Sequence, residues 1–228
     1  MKAGIILQAR TGSQRLPGKV LEPIAGRPLV EQCIRRLAAG GAAPVILATT
    51  TLADDDDVAA AGVAAGAPVF RGAAEDVLDR FVECARAFQL DVVVRATADN
   101  PAVDIEAPAR LLDALVRLDV DYVREDDLPL GAGVEAITRE TLALTALLAR
   151  DAFDREHVTT FVRRHADLFR LTTLHVPPAL ARPDVRLTVD TPEDLHLMRE
   201  LYSLAGADLP SLATFIGAWD RRARRTAA

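Results

Sequence analysis

The 228 residues include only two cysteines, Cys33 and Cys84. They lie in unrelated segments, and no CxxC or Cys/His spacing provides a disulfide framework or a structural zinc motif. Long apolar runs are missing too: none approaches the ~20 residues that a membrane span needs. The opening MKAGIILQAR has one lysine and a short apolar run ending at Arg10. That run is too short, and lacks the cleavage site, for a secretory leader, so a cytoplasmic location is expected. Positive charge is in deficit. With 27 Lys and Arg against 33 Asp and Glu, the formal net charge is −6. This excludes a general nucleic-acid binder, which carries a net basic surface. Anionic ligands would have to be met by local cations. The basic run RRARR at 221–225 reads as a solvated, frayed tail. His157, His165, His175 and His196 form no HExxH motif, no G-x-S-x-G is present, and no G-x-G-x-x-G follows the first apolar run. Zinc hydrolysis, serine hydrolysis and dinucleotide redox chemistry therefore lack their signatures.

What is present is alternation. Half of the residues are apolar and 26% are charged, the profile of a soluble globular chain. The segments AGIILQA, PVILATT, APVFRG and DVVVRATADNP read as strands. Between them, PLVEQCIRRLAA, DDDDVAAAGVAAG and EDVLDRFVECARAF carry helical periodicity. Pro28 suits a first helical turn, and the four aspartates 54–57 are expected as solvated charges favoured by the helix dipole. Further on, DREHVTTFVRRH reads as one helix and RLTV as a strand. Thr191, Pro192 and Asp194 then spell out a capping box. Alternation of this kind predicts an α/β fold, a mixed and mostly parallel sheet flanked by helices. One domain over 1–228 is the simplest expectation, with residues 122–175 as a strand-rich excursion serving dimerisation or acceptor binding.

Ligands in open α/β sheets bind beyond the carboxyl ends of the strands. Three strand ends are polar. The first delivers Gln8 and then QARTGSQRLPGK, in which Arg10, Gly12, Ser13, Arg15 and Lys19 arrive within a dozen residues. This is not a P-loop: five residues separate Gly12 from Gly18, and Val20 follows the lysine where a hydroxyl should stand. Glycine lets backbone N–H groups approach an anion, arginines fork onto phosphate oxygens, and lysine adds a mobile charge. The second strand end, VVVRATADNP, places Asp99 just past an apolar strand. That suits a hard cation such as Mg²⁺, and equally suits a turn before Asn-Pro. The third places Asp190 before the capped helix, where it either joins a metal site or supports the cap. REHVTT, at 155–160, reads as a charged helix face or as part of a site.

With these residues in place, the sequence resembles the cytidylyltransferases that make CMP-activated sugar acids, and within them the branch of spore-coat polysaccharide biosynthesis protein F. QARTGSQRLPGKVLEPIAGRPLVE, VFRGAAEDVLDRF, VVVRATADNP, REHVTTFVRR and RLTVDTPEDL carry the likeness in order along nearly the whole chain. The resemblance implies a Rossmann-like nucleotidyltransferase fold, related to GT-A architecture and usually dimeric. It implies Mg²⁺-dependent transfer of CMP from CTP to a small acceptor with release of pyrophosphate. By motif, Arg10, Ser13, Arg15 and Lys19 would grip the triphosphate. Gln8, Gly12 and Thr97 would line the nucleotide, and Ala9, Arg10 and Arg80 would seat the base. Asp99 and Asp190 would hold magnesium, and with Arg10 and Lys19 would form the catalytic set. Glu135, Arg155, Glu156 and His157 would face the acceptor. The chain departs from that branch at Ala98 and Asn100, where Gly and Cys are typical, and at Ala132-Gly133, where Leu-Asp is typical. Two further readings are a nucleotide-sugar-dependent glycosyltransferase using DVD at 119–121 as its metal pair, and a non-catalytic nucleotide-binding relative.

Overall fold

The computed structural model describes residues 1–226. The apolar stretch opens with β1 (Ala3–Gln8), and a small hairpin of β2 (Pro23–Ile24) and β3 (Arg27–Pro28) follows the opening loop. Then come α1 (Leu29–Ala39), β4 (Val45–Thr50), α2 (Asp56–Ala64), β5 (Val69–Gly72), α3 (Val77–Ala87), β6 (Val92–Thr97) and α4 (Ala107–Arg117). The second half runs β7 (Tyr122–Asp126), β8 (Glu135–Thr138), α5 (Arg139–Leu148), α6 (Ala152–His157), α7 (Thr160–Arg164), β9 (Leu171–His175), α8 (Pro192–Ala205) and α9 (Leu212–Thr226).

Seven strands form one sheet in the order β5-β4-β1-β6-β8-β7-β9. β1 pairs in parallel with both β4 and β6, and only β8 runs against its neighbours. The excursion at 122–175 thus supplies the mixed end of the sheet and three of the helices. The central strands are largely apolar because both faces are covered. Ile5, Leu7, Val92 and Val94 pack on the side of α1, α4, α8 and α9. Ile6, Val93 and Ile137 pack on the side of α3, α5 and α7. Since side chains alternate along a strand, Gln8, in register with Thr97, falls on the α3 side.

Four expectations are corrected. Pro28 caps α1 instead of opening it, because its extended backbone, ψ 143°, also serves the β2–β3 hairpin. The RLTV segment is not a strand of the sheet. Its backbone groups bond to the loops after β6 and β7: Leu187 N–H to the Leu130 carbonyl at 2.7 Å, and Val189 N–H to the Asp99 carbonyl at 2.8 Å. The helix expected over DREHVTTFVRRH breaks into α6 and α7 at Val158, whose φ is +60°. The basic run at 221–225 is largely exposed, as expected, but it is helical and not frayed, with Arg221 donating to the Leu204 carbonyl and Arg222 paired to Glu200 on α8.

The capping box is as expected. The Thr191 hydroxyl accepts from Asp194 N–H at 3.2 Å, and Asp194 accepts in return from Thr191 N–H and from both Nε and Nη2 of Arg186. The Arg186 bonds bring the Asp194 pKa down to about 2. A carboxylate depressed in the folded state stabilises it above the unfolded pKa, and that gain disappears as pH falls through the folded value. Asp194→Asn is therefore expected to cost about 2 kcal/mol at pH 7, with the deficit shrinking from about pH 4 toward pH 2. Urea unfolding of both proteins across that range, in metal-free buffer, measures it. Gly131 holds the RLTV segment in place: its φ is +93°, and a Cβ there would lie 2.6 Å from the Thr188 backbone nitrogen. Gly131→Ala combines backbone strain with overpacking and is expected to cost at least about 2 kcal/mol, read from the same unfolding curves.

Candidate active site

The carboxyl ends of β1 and β6 open into a cleft of about 680 Å³. Its walls include Gln8, Ala9, Arg10, Gly12, Ser13 and Arg15 from the first strand and its loop, and Lys19 from the turn beyond. Arg80, Thr97, Asp99, Asp190, Glu156 and His157 complete the set of expected residues brought together. The loop bends at Gly18, whose φ of +71° glycine adopts at no steric cost. Its closing bond runs from Gly18 N–H to the Thr11 carbonyl at 2.9 Å.

Lys19 comes next and is only 8% exposed. Its ammonium donates to Asp99 Oδ2 at 3.2 Å, to Asp190 Oδ1 at 2.9 Å and to the Val189 carbonyl at 2.7 Å. Residues about ninety positions apart thus meet at one cationic point. Asp99 is aimed there by the Thr97 hydroxyl, which donates to its Oδ1 at 2.7 Å. Asp190 Oδ2 takes Arg186 at 2.9 Å and lies 3.3 Å from Arg15. Burial opposes ionisation of Asp190, but the Lys19 hydrogen bond and charge, followed by Arg186, outweigh it and hold the carboxyl below the ordinary range.

No group of three or more His, Cys, Asp or Glu shaped to hold a metal occurs among the described residues. Two hard carboxylates converging on a cation nevertheless fit Mg²⁺, which commonly takes one or two protein carboxylates and completes its shell with water and substrate phosphate. The alternative pair, Asp119 and Asp121, does not fit. Both carboxylates are taken by Arg170, at 2.5 and 2.7 Å, and they precede β7, at the end of the sheet away from the cleft.

The α3 side of the cleft is cationic. Arg80 is 1% exposed and donates to the Ala73 carbonyl at 2.7 Å, while its Nε has no partner. Burial, and then the charge of Arg10, lower its pKa to about 10. Arg10 donates to the Ala74 carbonyl and reaches Glu156 at 3.4 Å. The Gln8 Oε1 is also buried without a partner.

Two expected acceptor residues are placed differently. Arg155 is not in the cleft wall; its guanidinium is held by Asp76 at 2.5 Å and by the Ala146 and Ala149 carbonyls at 3.1 Å. It joins α6 to the start of α3 and the end of α5. Glu135 lies in the wall of an adjoining cavity of about 350 Å³. Its carboxylate accepts from Arg95 at 2.9 Å, the Tyr122 hydroxyl at 2.5 Å and the Thr159 hydroxyl at 2.8 Å. Burial would raise its pKa, but the Arg95 charge and these hydroxyls keep it low. Sequence reasoning passed over Asp55. It was expected to be a solvated helix-start charge, yet it is 2% exposed and bonded to Thr11 and Thr50. Only the bonding of one aspartate of the four could have singled it out, and its bonds to Thr11 span 44 positions.

Known proteins resemble this chain in sequence and in fold. The family model described as cytidylyltransferase matches residues 4–212. The spore coat polysaccharide biosynthesis protein SpsF of Bacillus subtilis (strain 168) is 36% identical over 207 residues, 88% of this chain and 86% of that protein. An uncharacterized protein of Methanocaldococcus jannaschii is 35% identical over 220 residues, 95% and 90% of the two chains. Among solved structures, a cytidylyltransferase from Leptospira borgpetersenii serovar Hardjo-bovis (strain JB197) superimposes with a TM-score of 0.90 at 26% identity, over 98% of this chain and 96% of that one. The resemblance read from the motifs and the nucleotidyltransferase fold it implied are thus both found, and the chain belongs to the cytidylyltransferase family of nucleotidyltransferase enzymes.

Proposed function

We propose that the enzyme moves CMP from CTP to an oxygen of a small acceptor, a sugar acid or a related compound, and releases pyrophosphate. The observation that carries this reading is the Lys19 ammonium held between Asp99 and Asp190, beside the arginines of the opening loop. The acceptor oxygen attacks the α-phosphorus and loses its proton, and the bond to the bridging oxygen of pyrophosphate breaks. Negative charge grows on the departing group, so fixed cations aimed there lower the barrier. Arg10 and Arg15 present planar forks for phosphate oxygens, and Lys19 adds a point charge. Ser13 and the backbone about Gly12 add donors beside the same wall. Arg80, which lines the α3 side of the cleft beside Arg10, would help seat the base. Glu156 and His157 line the open side and would meet the acceptor. Asp99 and Asp190 would hold Mg²⁺, which when bound would supply charge neutralisation on the phosphoryl oxygens. No protein nucleophile is required; positioning and electrostatics suffice.

The test is pyrophosphate release from four nucleoside triphosphates against sugar acids, sugar phosphates and phosphonates, with Mg²⁺. CTP is expected to be the donor. Losing one charge-stabilising contact costs roughly 2.7–4 kcal/mol of barrier. Lys19→Ala and Asp190→Asn are therefore each expected to lower kcat by about a hundredfold or more. Near-normal release by both variants would overturn these roles, and CTP binding without release from any acceptor would leave a non-catalytic binder.

A further inference from the structure

Asp55 is the one buried member of the aspartate run, sitting in the turn that leads from β4 into α2. Its Oδ1 accepts two hydrogen bonds from a single residue: Thr11 N–H at 2.7 Å and the Thr11 hydroxyl at 2.8 Å. Its Oδ2 accepts from the hydroxyl of Thr50, the last residue of β4, which is itself buried. The Thr11 carbonyl in turn accepts from Ser13 N–H at 2.7 Å and from Gly18 N–H at 2.9 Å. Every polar group of Thr11 is thus engaged. Its donors face Asp55, and its carbonyl closes the loop that carries Arg10, Arg15 and Lys19. A continuous path of bonds runs from the end of β4 through Asp55 and Thr11 to Gly18, next to the lysine between the two site carboxylates. A carboxylate with three donors is a firm anchor for a loop, since each charge-assisted bond is strong and directional. Burial disfavours its charge, but the Thr50 and Thr11 bonds and nearby Arg80 keep it ionised. Asp55 in turn does most among the nearby carboxylates to keep the buried Arg80 protonated.

We propose that Asp55 is a positioning residue for the nucleotide site: by holding Thr11, it fixes the shape of the opening loop and so sets affinity for the triphosphate part of the substrate. It touches no substrate itself. The inference rests on the nucleotide reading above, and it predicts a loss confined to one part of the ligand. A purely structural role for Asp55 would instead lower the melting temperature and leave the affinities of the folded protein alone.

Calorimetric titration with CTP and with CMP, in Mg²⁺, compares wild type, Asp55→Ala, Asp55→Asn and Thr11→Val, with melting temperatures taken in parallel. A bond to a charged group is worth enough to change affinity about tenfold. Asp55→Ala is expected to weaken CTP by about tenfold or more and CMP by less than about threefold. Asp55→Asn keeps an acceptor for Thr11 and should recover most of the CTP affinity. Thr11→Val removes only the hydroxyl bond, from a partly exposed residue, and should show a smaller loss with the same preference for CTP. If Asp55→Ala does not fold, Thr11→Val decides alone. Wild-type CTP affinity in the folded variants, or equal losses for CTP and CMP, overturns the proposal while the nucleotide reading stands. Wild type that binds no CTP removes both.

Discussion

The ammonium of Lys19 is the point at which the loop after β1, the turn after β6 and the segment before α8 meet. All three of its donors are used, two on carboxylates and one on a main-chain carbonyl. Removing the charge would leave Asp99 and Asp190 facing each other in a partly buried site, where two like charges cannot both be held cheaply. A buried ion pair is not in itself a strong stabiliser, because desolvation offsets most of the attraction. Its value here is positional. Arg186 takes the other oxygen of Asp190 and both oxygens of Asp194, so the geometry at Lys19 is tied through one guanidinium to the cap of α8.

That arrangement divides the cleft electrically. Along the opening loop each cation has an anion: Lys19 and Arg15 share Asp190, and Arg10, beside Arg80, has Glu156. Behind them the buried Arg80 bonds a carbonyl and feels the charges of Asp55, Asp76 and Glu75. A polyanionic ligand entering along the loop would exchange existing ion pairs for new ones, whereas a neutral polar group would leave them in place and bind through uncharged hydrogen bonds. The first exchange depends on the ligand bringing charge and is weakened by salt; the second depends on shape and hydrogen-bonding pattern. The cleft therefore answers charge and shape by different means.

Much of this was legible in the sequence because it follows from local rules. Apolar runs ending in Gln8, Thr97 and Asp99 announce buried strands and what stands at their carboxyl ends. TPED announces the cap, and cations crowded around glycines announce a cationic loop on the cleft wall. What escaped the reading depends on contacts between distant segments. RLTV has the composition of a strand, but its partners are Asp99 and Leu130 in loops, so it never reaches a sheet edge. Asp55 is indistinguishable by composition from Asp54, Asp56 and Asp57. Arg155 stands beside Glu156 in the motif, yet faces Asp76 and the end of α5. Periodicity has no means of showing any of these three.

The break between α6 and α7 shows what such contacts can impose. A buried β-branched residue at positive φ is costly, roughly 1–3 kcal/mol, and survives only where its surroundings enforce it. Around Val158 they do. Asp154, just before the break, takes the Thr160 hydroxyl and Arg164 from beyond it, and the Thr159 hydroxyl reaches Glu135 on β8. A continuous helix would carry Thr159 away from the direction that Glu135 requires, or Glu156 and His157 away from the cleft. The strained turn lets the first pair face the opening and the threonine face the floor. The two walls are thus fixed by different physics. Ion pairs hold the Lys19 side and enforced backbone geometry holds the α6 side, and the two are joined where Glu156 pairs with Arg10.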